Sequence, residues 1–196
     1  MKEIKSSIVY FEQSGRENTP RVMELVKQRA KELGISTILV ASTTGYTGSL
    51  AVKDLPGMKV IVVSHVAGYA GPNTQELTKE DRTLIESGGG KILTTQHGFA
   101  GVNRAIRKKT ETYQPNEIIA DVLRIFGAGM KVMLEIAMMA ADAGLVETGK
   151  PVIAIAGTHR GADSAAVVVT ENSDNFFDLK VPEIICLPAP DHMLFH

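Results

Sequence analysis

The stretch Thr37-Ile38-Leu39-Val40-Ala41-Ser42-Thr43-Thr44-Gly45-Tyr46-Thr47-Gly48-Ser49-Leu50-Ala51-Val52 decides the reading of this chain. Its first five residues are a continuous β-branched and apolar run, the pattern of a strand buried on both faces of a parallel sheet. Ser42 to Gly45 read as a turn, and a short helix follows through about Val52. In an open α/β sheet, ligands bind outside the carboxyl ends of the strands. The turn is built for such a place. Gly45 lets backbone approach a ligand, and hydroxyls at Ser42, Thr43, Thr44 and Thr47 offer donors without bulk. The helix behind them offers unpaired amides and a positive dipole end, which suits a phosphate. The same residue types also serve as ordinary helix caps, so composition alone supports both uses.

The pattern repeats outward. Ile4 to Phe11 reads as a strand, with Ile8-Val9-Tyr10-Phe11 its buried part. Thr19 is the expected N-cap of the next helix and Pro20 its first residue, with Val22, Leu25, Val26, Arg29 and Leu33 at helical spacing and Gly34 at the end. Met58–Val63 and Lys91–Thr95 read as strands around an irregular region, 65–78, and a helix, Lys79–Glu86. Pro115 opens a helix to about Phe126, broken by Gly127 and Gly129. The following helix, Met130 to Ala143, is apolar nearly all round, so it belongs in a core or a subunit interface. It predicts a homo-oligomer if the sheet cannot cover it. Val152–Ala156, Ala165–Thr170 and Glu183–Leu187 complete the strands. The expected fold is α/β: a three-layer sandwich on a mostly parallel central sheet, residues 1–196 as one domain.

Composition agrees. The 196 residues are 44% hydrophobic and 22% charged, ordinary for a globular protein. A net charge of −1 argues against a dedicated nucleic-acid or anionic-membrane binder. Cys186 is the single cysteine, which excludes an internal disulfide and a Cys-based zinc cage. Met1-Lys2-Glu3-Ile4-Lys5 lacks the apolar run of a signal peptide, and Ile136–Ala141 is far too short to span a bilayer. A cytoplasmic protein is expected.

Other strand ends add candidates. Gly157-Thr158-His159-Arg160-Gly161-Ala162-Asp163-Ser164 follows the fifth strand, a second small-residue loop read as a crossover turn, where Arg160 can add a charge-assisted contact. Ser64-His65-Val66-Ala67-Gly68-Tyr69 follows the third strand and Glu12-Gln13-Ser14-Gly15-Arg16 the first. His97 and His65 with Tyr69 can meet an aromatic ligand, or simply cap local backbone. His65, His97 and His159 lie near strand ends, with His192 and His196 in the tail, and no pair has metal-ligand spacing, so no metal site is expected. Glu12 and Asp163 are the best-placed carboxylates. Gly144–Lys150 spells Gly-x-x-x-x-Gly-Lys, but Pro151 follows it and it precedes a strand, so it is not a phosphate loop. No Gly-x-Gly-x-x-Gly follows a strand. Catalytic residues stay unassigned, since spatial adjacency is not visible in sequence.

Thr37–Val52, with its Ser-Thr-Thr-Gly-Tyr-Thr turn, resembles the effector-phosphate loop of the pyruvate kinase C-terminal domain. Lys150–Thr170 resembles that domain's last hairpin, although Gly157-Thr158-His159-Arg160-Gly161 carries its arginine displaced by one position. The chain is also similar to a stand-alone family of pyruvate-kinase-C-terminal-like proteins, through Phe11–Thr19, Val40–Ser42, Ile136–Leu145 and Val152–Thr158. That resemblance implies bound flavin mononucleotide (FMN). It places Ser42, Thr43, Thr44, Gly45 and Thr47 on the phosphate, with Thr158, Arg160 and Gly161 assisting. Phe11, Glu12, His65 and Gly68 border the ring, and Asp163 completes the candidate set. A catalytic (β/α)₈ barrel takes about 250 residues, so no kinase activity is expected of these 196. Two other readings follow from the same residues: a flavin-dependent oxidoreductase with His65 or Glu12 as proton donor, or a regulatory subunit that senses a sugar phosphate.

Overall fold

The computed structural model describes residues 3–189; His192 and His196 fall outside the described residues. The strands are β1 (Val9–Phe11), β2 (Thr37–Ala41), β3 (Lys59–Ser64), β4 (Lys91–Thr94), β5 (Pro151–Ala156), β6 (Ser164–Val169) and β7 (Lys180–Pro188). The helices are α1 (Thr19–Leu33), α2 (Tyr46–Asp54), α3 (Lys79–Ser87), α4 (Gly101–Thr110), α5 (Pro115–Arg124) and α6 (Ala128–Asp142). The strands form one sheet in the order β1-β7-β6-β5-β2-β3-β4. Only β6 runs antiparallel to its neighbours.

The apolar runs are continuous because side chains alternate between two covered faces. Ile38, Val40, Val60, Val62, Ile153 and Ile155 join a core with Val22, Met23 and Val26 of α1, Ala51 of α2 and Ile85 of α3. Leu39, Ile61, Val63, Val152 and Ala154 point to the other face, onto Met133, Ile136, Ala137 and Ala140 of α6. Burying each of the valine, leucine, isoleucine and methionine side chains among them is worth roughly 1.5–3 kcal/mol. The fold is therefore the expected three-layer α/β/α sandwich.

The register sets the site. β2 pairs in parallel with β3 on one side (Ala41↔Val63) and with β5 on the other (Val40↔Ile155). The loops after β2, β3 and β5 thus leave the sheet side by side. β1 runs parallel to β7, and its loop leaves from the same edge.

Two expectations need correction, and two helices need placing. Asn18, not Thr19, holds the N-cap position of α1; Thr19 is the first helical residue, and its buried hydroxyl accepts the Ala162 amide at 2.9 Å. The loop after β5 is no crossover: it is a hairpin into antiparallel β6, so no helix end stands behind it. Helix α4, in a stretch with no sequence assignment, has no buried residue; Val102 and Ile106, one turn apart on the same face, stay exposed. Helix α6 is buried by its own chain, against β2, β3, β5, β6 and α5, so its apolarity requires no second copy. Among the described residues no helix is long and apolar enough to cross a membrane.

Candidate functional site

A cleft of about 610 Å³ opens at the carboxyl ends of β2, β3 and β5 and is floored by α6. That volume suits a small molecule. One wall is the loop after β2. Here Ser42 is buried, and its Oγ accepts the Gly48 amide at 3.2 Å, so it caps α2 from the strand side. Gly45 sits at φ +113°, and its α-carbon faces α3; a Cβ there would lie 2.1 Å from Asp81 Cβ. Thr44 is tied through its carbonyl, which accepts the Thr78 amide at 3.0 Å. Thr43, Thr44 and Thr47 line the cleft together with the start of α2. The amides of Tyr46 and Thr47 precede the first intrahelical bond, Ser49 N–H to Gly45 O, and so belong to the helix's positive end.

The hairpin after β5 forms the facing wall. Thr158 Oγ1 is buried in this wall and has no hydrogen-bond partner, the one such side-chain atom among the described residues. An unpaired buried hydroxyl costs about 1–3 kcal/mol, so a missing acceptor or donor is implied. Asp163 is enclosed behind the loop. Its Oδ2 accepts the amides of Gly15 and Thr158, each at 3.1 Å, and its Oδ1 accepts Ser164 Oγ–H at 2.7 Å. Gly161, at φ +79°, lies against the segment that enters α1, where a Cβ would stand 2.5 Å from Arg16 Cα and 2.6 Å from Thr19 Oγ1. Arg16, held there, stacks its guanidinium 3.6 Å from the Tyr46 ring centroid.

The third wall is aromatic. The His65 ring lies 4.2 Å from that of Tyr69 and 5.2 Å from that of His97, centroid to centroid. Thr43 Oγ1 is 3.3 Å from His65 Nε2, and Glu76 Oε2 is 2.7 Å from His65 Nδ1. His97 Nε2 accepts the Val66 amide at 3.2 Å, which requires a lone pair there. Burial holds the His97 pKa below the ordinary histidine value, and His65, Lys131 and Arg104 add to that, against Glu135.

The floor carries the polar pair hidden in α6. Lys131 Nζ donates to Glu135 Oε2, and Glu135 Oε1 accepts the Phe99 amide at 3.0 Å. The pair is nearly enclosed, with side chains 12% and 6% exposed. Arg16, Arg104, Arg124, Lys131 and Arg160 line the cleft against the carboxylates of Glu76 and Glu135, so the field inside favours an anion. Arg104, Arg124 and Lys131 also border an adjoining cleft beside α4 and α5.

Of the residues singled out by sequence, Ser42, Thr43, Thr44, Thr47, His65, Thr158, Arg160 and Gly161 come together here. Phe11, Glu12, Gly45, Gly68 and Asp163 do not line the cleft. Phe11 packs on the core at the end of β1, Glu12 is exposed, Gly68 shapes a turn by donating its amide to Thr74 O, and Gly45 and Asp163 hold loops in place. Sequence reasoning missed Lys131, Glu135, Glu76, Arg104 and Arg124. The signal for Glu135 was present: a carboxylate inside an otherwise apolar helix, four residues after a lysine, is a buried group that needs a partner. Among the described residues, no three metal-ligating side chains cluster.

Among solved structures, the chain is similar to a pyruvate kinase from Cryptosporidium parvum at 15% identity and a TM-score of 0.40, and to a second structure of Cryptosporidium parvum pyruvate kinase at 14% and 0.38. Each match covers 77% of this chain but 22% of the other, so the chain spans about a fifth of the length of the proteins it matches. The family model for the pyruvate kinase alpha/beta domain matches residues 20–169, well over half of the sequence. With its helix-flanked, mostly parallel seven-stranded sheet, the chain belongs to the pyruvate kinase alpha/beta domain family.

Proposed function

We propose that the cleft binds a small molecule carrying both a phosphate and an aromatic ring, with FMN as the ligand, and that binding rather than pyruvate kinase catalysis is its role. The observation that carries this reading is the buried, unpartnered Thr158 hydroxyl, in the wall facing the positive end of α2. A phosphate between those walls gives Thr158 an acceptor and receives the Tyr46 and Thr47 amides. The hydroxyls of Thr44 and Thr47 add donors, and Arg16 and Arg160 supply charge. Ser42 and Gly45 serve the seat indirectly, by shaping the loop. Tyr69, His65 and His97 offer ring faces for the aromatic part. When bound, FMN supplies hydride and electron transfer; the chain's residues bind and orient it.

The absorbance spectrum of the purified protein, followed by titration with FMN, tests this directly. A flavin spectrum, or saturable uptake, is the expected result. Thr158→Val should weaken uptake by about 10- to 150-fold, since one hydrogen bond to a charged group is worth about 1.5–3 kcal/mol. A colourless protein that takes up no flavin overturns the FMN assignment.

A further inference from the structure

Thr43, His65 and Glu76 stand in line within the cleft. Thr43 Oγ1 is 3.3 Å from His65 Nε2, and His65 Nδ1 is 2.7 Å from Glu76 Oε2. With Nδ1–H donated to Glu76, Nε2 turns its lone pair to the threonine hydroxyl. The His65 backbone is itself held, its carbonyl accepting Ser64 Oγ–H at 3.2 Å and Gln75 Nε2–H at 3.1 Å. A hydroxyl, a base within reach of it, and an acid that orients the base make up an activated nucleophile, and such contacts tighten when substrate binds. Nothing in the packing demands this alignment: Thr43, His65 and Glu76 are each only partly buried and face the cleft.

We propose that Thr43 is a nucleophile, His65 its base and Glu76 the positioning residue, and that the cleft hydrolyses phosphate monoesters, FMN being itself such an ester and so a substrate as well as a ligand of the seat. The proposal rests on the phosphate seat described above, since Thr43 belongs to the same loop. Thr43 Oγ attacks phosphorus and its proton passes to His65 Nε2. The P–O ester bond breaks, and the leaving alkoxide takes a proton from solvent. His65 keeps its proton while the phosphothreonine lasts. Water then attacks phosphorus, releasing one proton to solvent. The Thr43–phosphorus bond breaks, and His65 returns its proton to Thr43 Oγ. The sum is ester plus water giving alcohol plus phosphate. Arg16, Arg160 and the end of α2 offset charge on the phosphoryl oxygens.

The test is release of p-nitrophenolate from p-nitrophenyl phosphate by the full chain, with acid quenching and mass analysis of the peptide that holds Thr43. The wild type should turn over and carry a phosphoryl group on Thr43. Thr43→Ala and His65→Gln should lose at least about 100-fold in kcat, whereas Thr43→Ser should retain turnover. Glu76→Gln should lower kcat with KM unmoved, a split that a merely structural role would not produce. Absence of turnover, or equal turnover in Thr43→Ala, overturns the relay. Calorimetric titration with inorganic phosphate separates the two readings. If phosphate still binds, the seat stands without the chemistry. If neither phosphate nor FMN binds, the ligand reading falls as well.

Discussion

Asp163 Oδ2 accepts the backbone amide of Gly15 at 3.1 Å across 148 positions of sequence. The same oxygen takes the Thr158 amide, so one enclosed side chain ties the loop after β1 to the hairpin after β5. That tie fixes the hairpin wall of the cleft against the segment that carries Arg16. Removing it leaves two amides and the Ser164 hydroxyl without their acceptor. Asp163→Ala should therefore cost about 3 kcal/mol of stability, the upper range for bonds to a charged acceptor. Urea denaturation measures it. A loss below about 1 kcal/mol would mean that water replaces the carboxylate, and that the loops are held by other contacts.

Gly45→Val separates two roles for that glycine. At a solvent-facing position the added side chain would crowd the phosphate and weaken ligand binding while leaving the fold largely intact. In the fold it is buried at φ +113°, with Asp81 Cβ and Leu77 Cδ1 within 3 Å of any added Cβ. Strain and overpacking each cost about 1–3 kcal/mol. The variant should unfold at least about 2 kcal/mol more easily. An unchanged melting temperature would place the loop away from α3.

The pH dependence of stability tests His97. Burial keeps its folded pKa below the unfolded value of about 6.5, and its Nε2 must stay unprotonated to accept the Val66 amide. Below that unfolded value the unfolded chain takes up a proton that the folded chain resists, so stability falls as pH falls. Thermal melts between pH 7.5 and 5 should show a steeper loss in the wild type than in His97→Gln. Parallel curves would show that His97 does not carry the acid sensitivity.

Cys186 lies fully buried in β7, and burial pushes its thiol pKa up to about 12. The thiolate is the reactive form, so the native protein should not react with a disulfide reagent over minutes at pH 8. Unfolding in guanidinium should release one equivalent. Rapid reaction of the native protein would show that β7 detaches from the sheet.

Much of the architecture was legible because strands and helices announce themselves through neighbours two to four residues apart. Thr37–Ala41 was read to the residue, since three consecutive buried side chains leave no ambiguity about a strand covered on both faces. The hydroxyl loop was legible for the same reason: a strand, a small-residue turn and a helix follow one another directly. Helix α4 was not: its apolar stripe, Val102, Ala105 and Ile106, spans little more than one turn, and no residue of the helix is buried. Glu76 was not, because it sits in an irregular loop and its hydrogen-bond partner, His65, is eleven residues away. Nor was the division of labour within the loop, where Ser42 and Gly45 build the turn and Thr43 and Thr44 face the cleft.

By itself, then, the order of residues determined which segments are strands, which turns are rich in donors, and that both sheet faces would be covered. Tertiary structure alone decided that β2 lies between β3 and β5, which brings Thr43, His65, Thr158 and Lys131 to one cleft and sends Asp163 and Gly45 into supporting positions. The physical reason is range. Periodicity records local burial, whereas strand order is settled by pairing between segments up to a hundred residues or more apart, and no short window of sequence carries that choice.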